Sequence, residues 1–413
     1  MKLEDLQNKT VLMFGKSRAF SEDEFFSQLN FHNIKLTREL SDAVEYVLEG
    51  RMMNPYEQNQ SELLYEQKRY EFINIDTFEK LLAQEIDNDT LLMSLKLSND
   101  KARLKSFLQN SCIDDTLFFK LLKMYSYGDE DFFENDDNRD VSAALIGRFY
   151  KNIERNHNVQ YATTGIYHLV QQTANGELLE VIANLAPTKK HPKLMKALAL
   201  HVKVPKSVQK LFLKKGDYSV KEALAYNKNL DKSIVNELIK EEPLAAVIAQ
   251  NIRLDEALFE KLKAYKINLA ANETLTQTMQ EKLLCEHDEN IYLTLAQNSS
   301  LHVTTCNYLL SLGKEAIDAK IYANSATPRA LLEDIYKKGQ YFTSLSANSA
   351  TPQSVLEELA QSGEAEILHN LAKNENTPVQ TLYQLQLDRR FERAVKTNKA
   401  FGKYIQSQNI GWL

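Results

Sequence analysis

The sequence predicts a small α/β domain followed by an all-α, right-handed solenoid built from helical units of ~25 residues. Three observations predict it. The 413 residues hold only 12 Gly and 8 Pro, too few for a turn-dense β-sandwich and in keeping with helices. The first 85 residues alternate between short apolar runs and helix-period stretches. From about residue 200 an Asn recurs in similar surroundings at spacings of 21 to 26 residues.

The elements of the first region follow in order. Thr10-Val11-Leu12-Met13-Phe14, closed by Gly15, reads as a buried strand. Ser21 and Glu24 are spaced as a capping box, opening a helix with Phe25, Phe26 and Leu29 on one face. Asn33 offers a turn before a short strand at Ile34-Lys35-Leu36. Val44–Leu48 reads as a third strand ending at Gly50. A polar loop then leads to a helix over about residues 60–69. Phe72–Ile75 is a fourth strand, and Asp76 caps a helix through Phe78, Leu81 and Leu82. The order βαββαβα implies a mostly parallel sheet.

With these residues, and above all Asn8–Gly15, Ser21–Leu29, Tyr46–Gly50 and Phe72–Glu79, residues 1–85 resemble a BRCT domain. The resemblance implies a non-catalytic module that binds phosphopeptides, DNA ends or protein partners. The slots of that family's phosphate pocket hold Phe14 and Glu62, and a carboxylate repels a phosphate. Residues 1–85 carry 10 Lys and Arg against 16 Asp and Glu, so the electrostatic drive toward nucleic acid is absent from this domain. The fold and a general binding role therefore carry over, without the phosphate chemistry. Lys16, Ser17 and Arg18 in the first loop form either a small anion site or a solvated loop.

Residues 86–160 read as a helical connector with degenerate repeats, since Gln109-Asn110 through Leu121 aligns with Gln250-Asn251 through Leu262. Its stretch 128–140 holds seven acids and one Arg. The spacing does not match a calcium loop, and the stretch reads as a solvated insertion.

Residues 161–413 are the repeat region. His201, Asn227, Asn251, Asn272, Asn298, Asn324, Asn348, Asn374 and Asn398 occupy one recurring slot. In the clearest unit Thr327 reads as an N-cap with Pro328 at the first helical position. Leu331, Leu332 and Ile335 form an apolar stripe, and Gly339 closes the helix. A second short turn from Tyr341 to Ala347 leads to the next Asn, which hydrogen-bonds backbone in the turn between units. A unit this short cannot bury its own apolar face, so neighbours stack. The pattern Ala-x-Asn-x-x-Thr-Pro followed by Leu-x-x-Leu, best over 320–400, resembles the leucine-rich repeat variant family, an α-solenoid akin in shape to HEAT repeats. The resemblance implies a binding surface and no reaction. Some members hold an iron–sulfur cluster on grouped cysteines. Cys112, Cys285 and Cys306 lie far apart, so no cofactor or metal is expected.

Charge marks one candidate site. Thr188–Gly216 carries Lys189, Lys190, Lys193, Lys196, Lys203, Lys206, Lys210, Lys214 and Lys215 with no acid. A weaker basic cluster holds Arg389, Arg390 and Arg393, with Lys396, Lys399 and Lys403. These lysines are either a solvated face or a patch that holds phosphates or an acidic protein segment. Docking of the acidic N-terminal domain or of the 128–140 stretch on the block is a further expectation. No GxSxG, HExxH or P-loop motif is present. The histidines are scattered, and the single Trp, Trp412, is terminal, so HEAT-like DNA glycosylases are an analogy of shape alone. No apolar run is long enough to span a membrane. The start of the chain lacks a signal-peptide pattern. The expectation is a cytoplasmic, non-catalytic scaffold that binds a protein partner through the solenoid. Association with nucleic acid through Lys189–Lys215 is the alternative.

Overall fold

The structure, a computed structural model, describes residues 2–17, 20, 22–85, 88–110, 113–150 and 157–408. Arg18, Ser21, Cys112 and Trp412 lie outside the described residues. The chain divides into two compact units, Met1–Val220 and Lys221–Leu413. No helix among the described residues is long and apolar enough to cross a membrane.

The first unit opens with a four-stranded parallel sheet in the order β2-β1-β3-β4, formed by β1 (Thr10–Phe14), β2 (Lys35–Thr37), β3 (Val44–Glu49) and β4 (Glu71–Asn74). Helices α1 (Glu22–Phe31), α2 (Pro55–Glu66) and α3 (Ile75–Glu85) connect and follow the strands. Leu12 and Phe14 alternate onto the face where Leu64 of α2 packs with Val44 and Val47. On α1 and α3, Phe25 and Phe78 meet edge to face at 5.9 Å. Asn33 turns the chain into β2 with φ +56.

Two local expectations change. Helix α2 begins at Pro55 instead of near residue 60. The Asn54 side chain accepts from the Glu57 N–H, the Glu57 carboxylate accepts from the Asn54 N–H, and Pro55 sits where its missing N–H costs nothing. Helix α3 begins at Ile75, one residue ahead of Asp76, so Asn74 and not Asp76 stands at the N-cap position. The Asn74 side chain accepts from the Asp76 N–H at 2.8 Å, and the Asp76 carboxylate pairs with Arg51 at 2.5 Å.

The acidic stretch is no free insertion. Phe132 is fully buried, and helix Asp136–Phe149 starts inside the stretch on an Asn135 cap. Asn138, also fully buried, accepts from the Tyr125 hydroxyl and donates to the carbonyls of Tyr127 and Asp131. Lys105 meets Asp137 at 2.7 Å and Asp140 at 3.1 Å. A buried aromatic and a satisfied polar hub thus hold a segment whose composition alone reads as solvated.

The second unit is a solenoid-like run of helix pairs joined by a ladder of buried asparagines. One helix of each pair ends at the slot residue: Glu289–Gln297 at Asn298, Glu315–Ala323 at Asn324, Phe342–Ala347 at Asn348 and Ala365–Lys373 at Asn374. Each of these asparagines donates both amide hydrogens backward. Asn348 donates to the carbonyls of Tyr322 and Asn324 at 2.9 and 2.7 Å. Asn374 does the same to Ser346 and Asn348, and Asn398 to Ala372 and Asn374. The side-chain oxygen accepts from the N–H two residues on, as at Ala326, Ala350 and Asn376. A short amide side chain at an extended helix end is therefore fully satisfied inside the core. The slot-ending helices pack on one another in succession.

From Asn272 onward the residue three places after the slot is buried: aliphatic at Leu275 and Leu301, Thr at Thr327, Thr351 and Thr377, and aromatic at Phe401. This corrects the N-cap expectation. Thr327, Thr351 and Thr377 donate their hydroxyls back to the carbonyls of Ile321, Leu345 and Leu371, and the prolines Pro328, Pro352 and Pro378 stand at the N-cap. Asn251 is also corrected. Its helix runs one residue further, the helix end falls on Ile252, and the Asn251 amide folds onto Val247 of its own helix at 2.8 Å. Asn272 accordingly reaches back to the carbonyls of Ala249 and Ile252. In the first unit Asn110 ends helix Lys101–Gln109, with Asp114 capping the next helix, Asp115–Met124.

Candidate functional site

The lysine block belongs to the first unit and spreads over two helical layers. Helix Pro192–Leu200 packs on Thr163–Gln172, and Lys206–Lys215 packs on Gly176–Asn184. Lys189 and Lys190 lie in the 3-10 turn Ala186–Lys190. Lys193 and Lys196 are on the first of the two block helices, and Lys203 is in the turn between them. Lys206, Lys210 and Lys214 recur every fourth residue on the second, in one exposed stripe with Lys215 beside it. The last two stand at the negative end of the helix dipole. Among the described residues, Lys189, Lys193, Lys203, Lys210, Lys214 and Lys215 have no carboxylate within 4.0 Å. Lys196 acts on Asp217, whose carboxyl lies below its ordinary value through its bonds to Ser219 and Val220, with Lys196 adding to them.

His201 fixes the turn that presents Lys203. Its Nδ1 accepts from the Lys203 N–H at 3.1 Å, and the ring bonds to the Thr173 backbone. This is the part played by Asn in the later units. Burial pushes its pKa below 6.5, against the opposing bond to Thr173.

The acidic stretch reaches the edge of the block. Lys190 donates to the Asp129 carbonyl. His191 Nε2 lies 2.7 Å from the Asp131 carboxylate, and its ring stacks on Phe132 at 5.7 Å and 26°. Burial would raise the Asp131 pKa, but the His191 bond, the Phe132 N–H and Lys190 together hold it below 3.8. Charge alone led to the expectation that the 128–140 stretch docks on the block; the individual pair was not legible because 60 residues separate its partners. The contact covers only the first residues of the block and leaves Lys210, Lys214 and Lys215 open.

The first loop of the sheet domain is occupied by the chain's own carboxylates. The Gly15 N–H donates to Glu57 at 3.1 Å, and the Ser17 hydroxyl to the buried Glu79 at 2.7 Å. The Glu57 pKa is lowered chiefly by the Asn54 N–H, then by Gly15, Arg38 and Lys16, against burial. Phe14 is in the core and Glu62 is exposed. In the C-terminal cluster, Arg390 is held by Asp388 at 2.7 Å and Lys396 by Glu392 at 2.7 Å. Arg389 and Arg393 are exposed.

No group of three or more His, Cys, Asp and Glu able to hold a metal ion occurs among the described residues. Compared with protein-family models, curated proteins and solved structures, the chain matches none of them.

Proposed function

We propose that the chain is a cytoplasmic, non-catalytic scaffold that docks an acidic protein segment on the Lys189–Lys215 block. The observation that carries this reading is the exposed stripe Lys206, Lys210 and Lys214, in a stretch without acids. The way Asp129 and Asp131 already meet Lys190 and His191 supports it. Within one chain, an acidic loop with a buried aromatic anchor is a working example of what an outside partner would present. The helical units hold the lysines on packed elements, so little side-chain support is lost on binding.

The sheet domain is a second binding module in this reading. Its parallel order β2-β1-β3-β4 with three helices supports a BRCT-like fold. The recurring Asn and Thr-Pro positions support leucine-rich-repeat-variant, HEAT-like units. Because Glu57 and Glu79 fill the first loop, the module engages an unphosphorylated partner.

The test is fluorescence anisotropy of labelled polyglutamate and of a labelled DNA duplex. Wild type is compared with a Lys206→Glu, Lys210→Glu, Lys214→Glu variant at about 50 and 200 mM salt. Polyglutamate binding that the variant loses is the expected result. Tighter duplex binding, with a log–log salt slope of about −0.9 per phosphate, replaces the reading with nucleic-acid association. No binding of either probe at low salt refutes both.

A further inference from the structure

The asparagine ladder has a gap in the second unit, and a cleft lies beside it. At Ile252 there is no amide to reach back to the preceding unit, and Asn251 is turned onto its own helix. Helices Lys232–Leu238 and Glu256–Lys261 are linked instead by polar bridges. Lys232 meets Asp255 at 2.9 Å, and Lys261 donates to the Asn236 side chain at 2.9 Å. Between them lies a cleft of about 510 Å³.

Its lining has two characters. Leu230, Val235, Ile252, Leu254 and Leu258 give an apolar floor. Lys228, Lys232, Arg253 and Lys261 line the same cleft with the acid Asp255; Lys232 pairs with Asp255 and Lys228 with Glu273 at 3.5 Å, which leaves Arg253 and Lys261 as the cations in excess. Arg253 is exposed and, among the described residues, has no carboxylate within 4.0 Å. With Lys228 it also lines a neighbouring hollow of about 170 Å³.

We infer that this cleft is a docking site for an acidic peptide segment carrying aliphatic side chains. The excess of cations calls for carboxylates, and the floor calls for aliphatic groups that a bare phosphate or a nucleic-acid backbone lacks. An extended segment alternating the two presents aliphatic side chains to one side and carboxylates to the other. With the aliphatic side chains on the floor, the carboxylates stand at the mouth of the cleft, where the long side chains of Arg253 and Lys261 extend to meet them. The site is separate from the lysine block and does not rest on the function proposed for it.

The experiment uses the full chain and a short fluorescein-labelled peptide of alternating Asp and Leu, with an Asp-Ser peptide of the same length for comparison. The Asp-Leu peptide is expected to bind at least about tenfold more tightly than Asp-Ser, a difference of about 1.4 kcal/mol. Arg253→Glu is expected to weaken it by a similar factor. So is Ala257→Trp, which leaves the charge unchanged and fills the cleft from an exposed helix position. Circular dichroism melts establish that both variants fold. All of these affinities are measured in the Lys206→Glu, Lys210→Glu, Lys214→Glu background, so that binding to the lysine block does not contribute to the reading. Equal affinity for the two peptides, binding untouched by either cleft variant, or no binding at all in that background overturns the inference.

Discussion

Asn348→Ala removes three hydrogen bonds at once from a fully buried position. The two backward bonds to Tyr322 and Asn324 are 2.9 and 2.7 Å long, and the bond from the Ala350 N–H is 2.8 Å. At about 1 kcal/mol net per bond, with some further cost for polar backbone left unpaired, the loss is about 3 to 5 kcal/mol. Asn251→Ala is the matched control. It removes one bond to Val247 within its own helix from a half-buried side chain, so the expected loss is below about 1 kcal/mol. Urea denaturation followed by circular dichroism gives the global loss. Amide hydrogen exchange at Ala350 and Thr351 gives the local one, because repeat arrays open in parts. Equal destabilisation by the two substitutions would refute the reasoning that the ladder, and not the presence of an Asn, holds successive units together.

Further predictions concern other parts of the chain. Phe132→Ala is expected to cost about 3 to 5 kcal/mol, measured by denaturation, because the ring is fully buried and stacks on His191. Thr351→Val removes the hydroxyl bond to Leu345 but keeps the shape, and other units hold aliphatic residues at this place. A loss of no more than about 1.5 kcal/mol is expected from the same measurement. His201 has its folded-state pKa below the ordinary 6.5, so the unfolded chain takes up the proton first as the pH falls. Its contribution is intact above about pH 6.5 and declines from there toward the folded-state value. His201→Asn keeps the slot chemistry and is expected to flatten that part of the pH–stability curve.

Much of the architecture was legible because it is written in local patterns. The four strands follow from apolar runs, and the observed limits of β1 match those read from Thr10–Phe14. The Asn spacing pointed to positions that share one hydrogen-bonding pattern, from Asn324 to Asn398, and His201 likewise ends its helix. What was missed depends on contacts and burial that no local motif names. Thr327 looks like an N-cap from its neighbours alone, but its hydroxyl turns back to the Ile321 carbonyl at the end of the preceding helix, which also accepts from the Asn324 N–H. The acidic stretch looks solvated until Phe132 and Asn138 are seen buried. The one-residue slip at Asn251 is a matter of where a helix stops, and helix ends are the least determined feature of a sequence. The cleft beside it carried no motif, because its cations come from separate turns and helices.

The most direct test of the central claim is hydrogen exchange of the full chain with and without saturating polyglutamate. The account predicts slowed exchange in Lys206–Lys215 and in the Lys203 turn, with no change in the sheet strands. Unchanged exchange in those residues under conditions where polyglutamate binds, or protection confined to Arg389–Lys396, would contradict it.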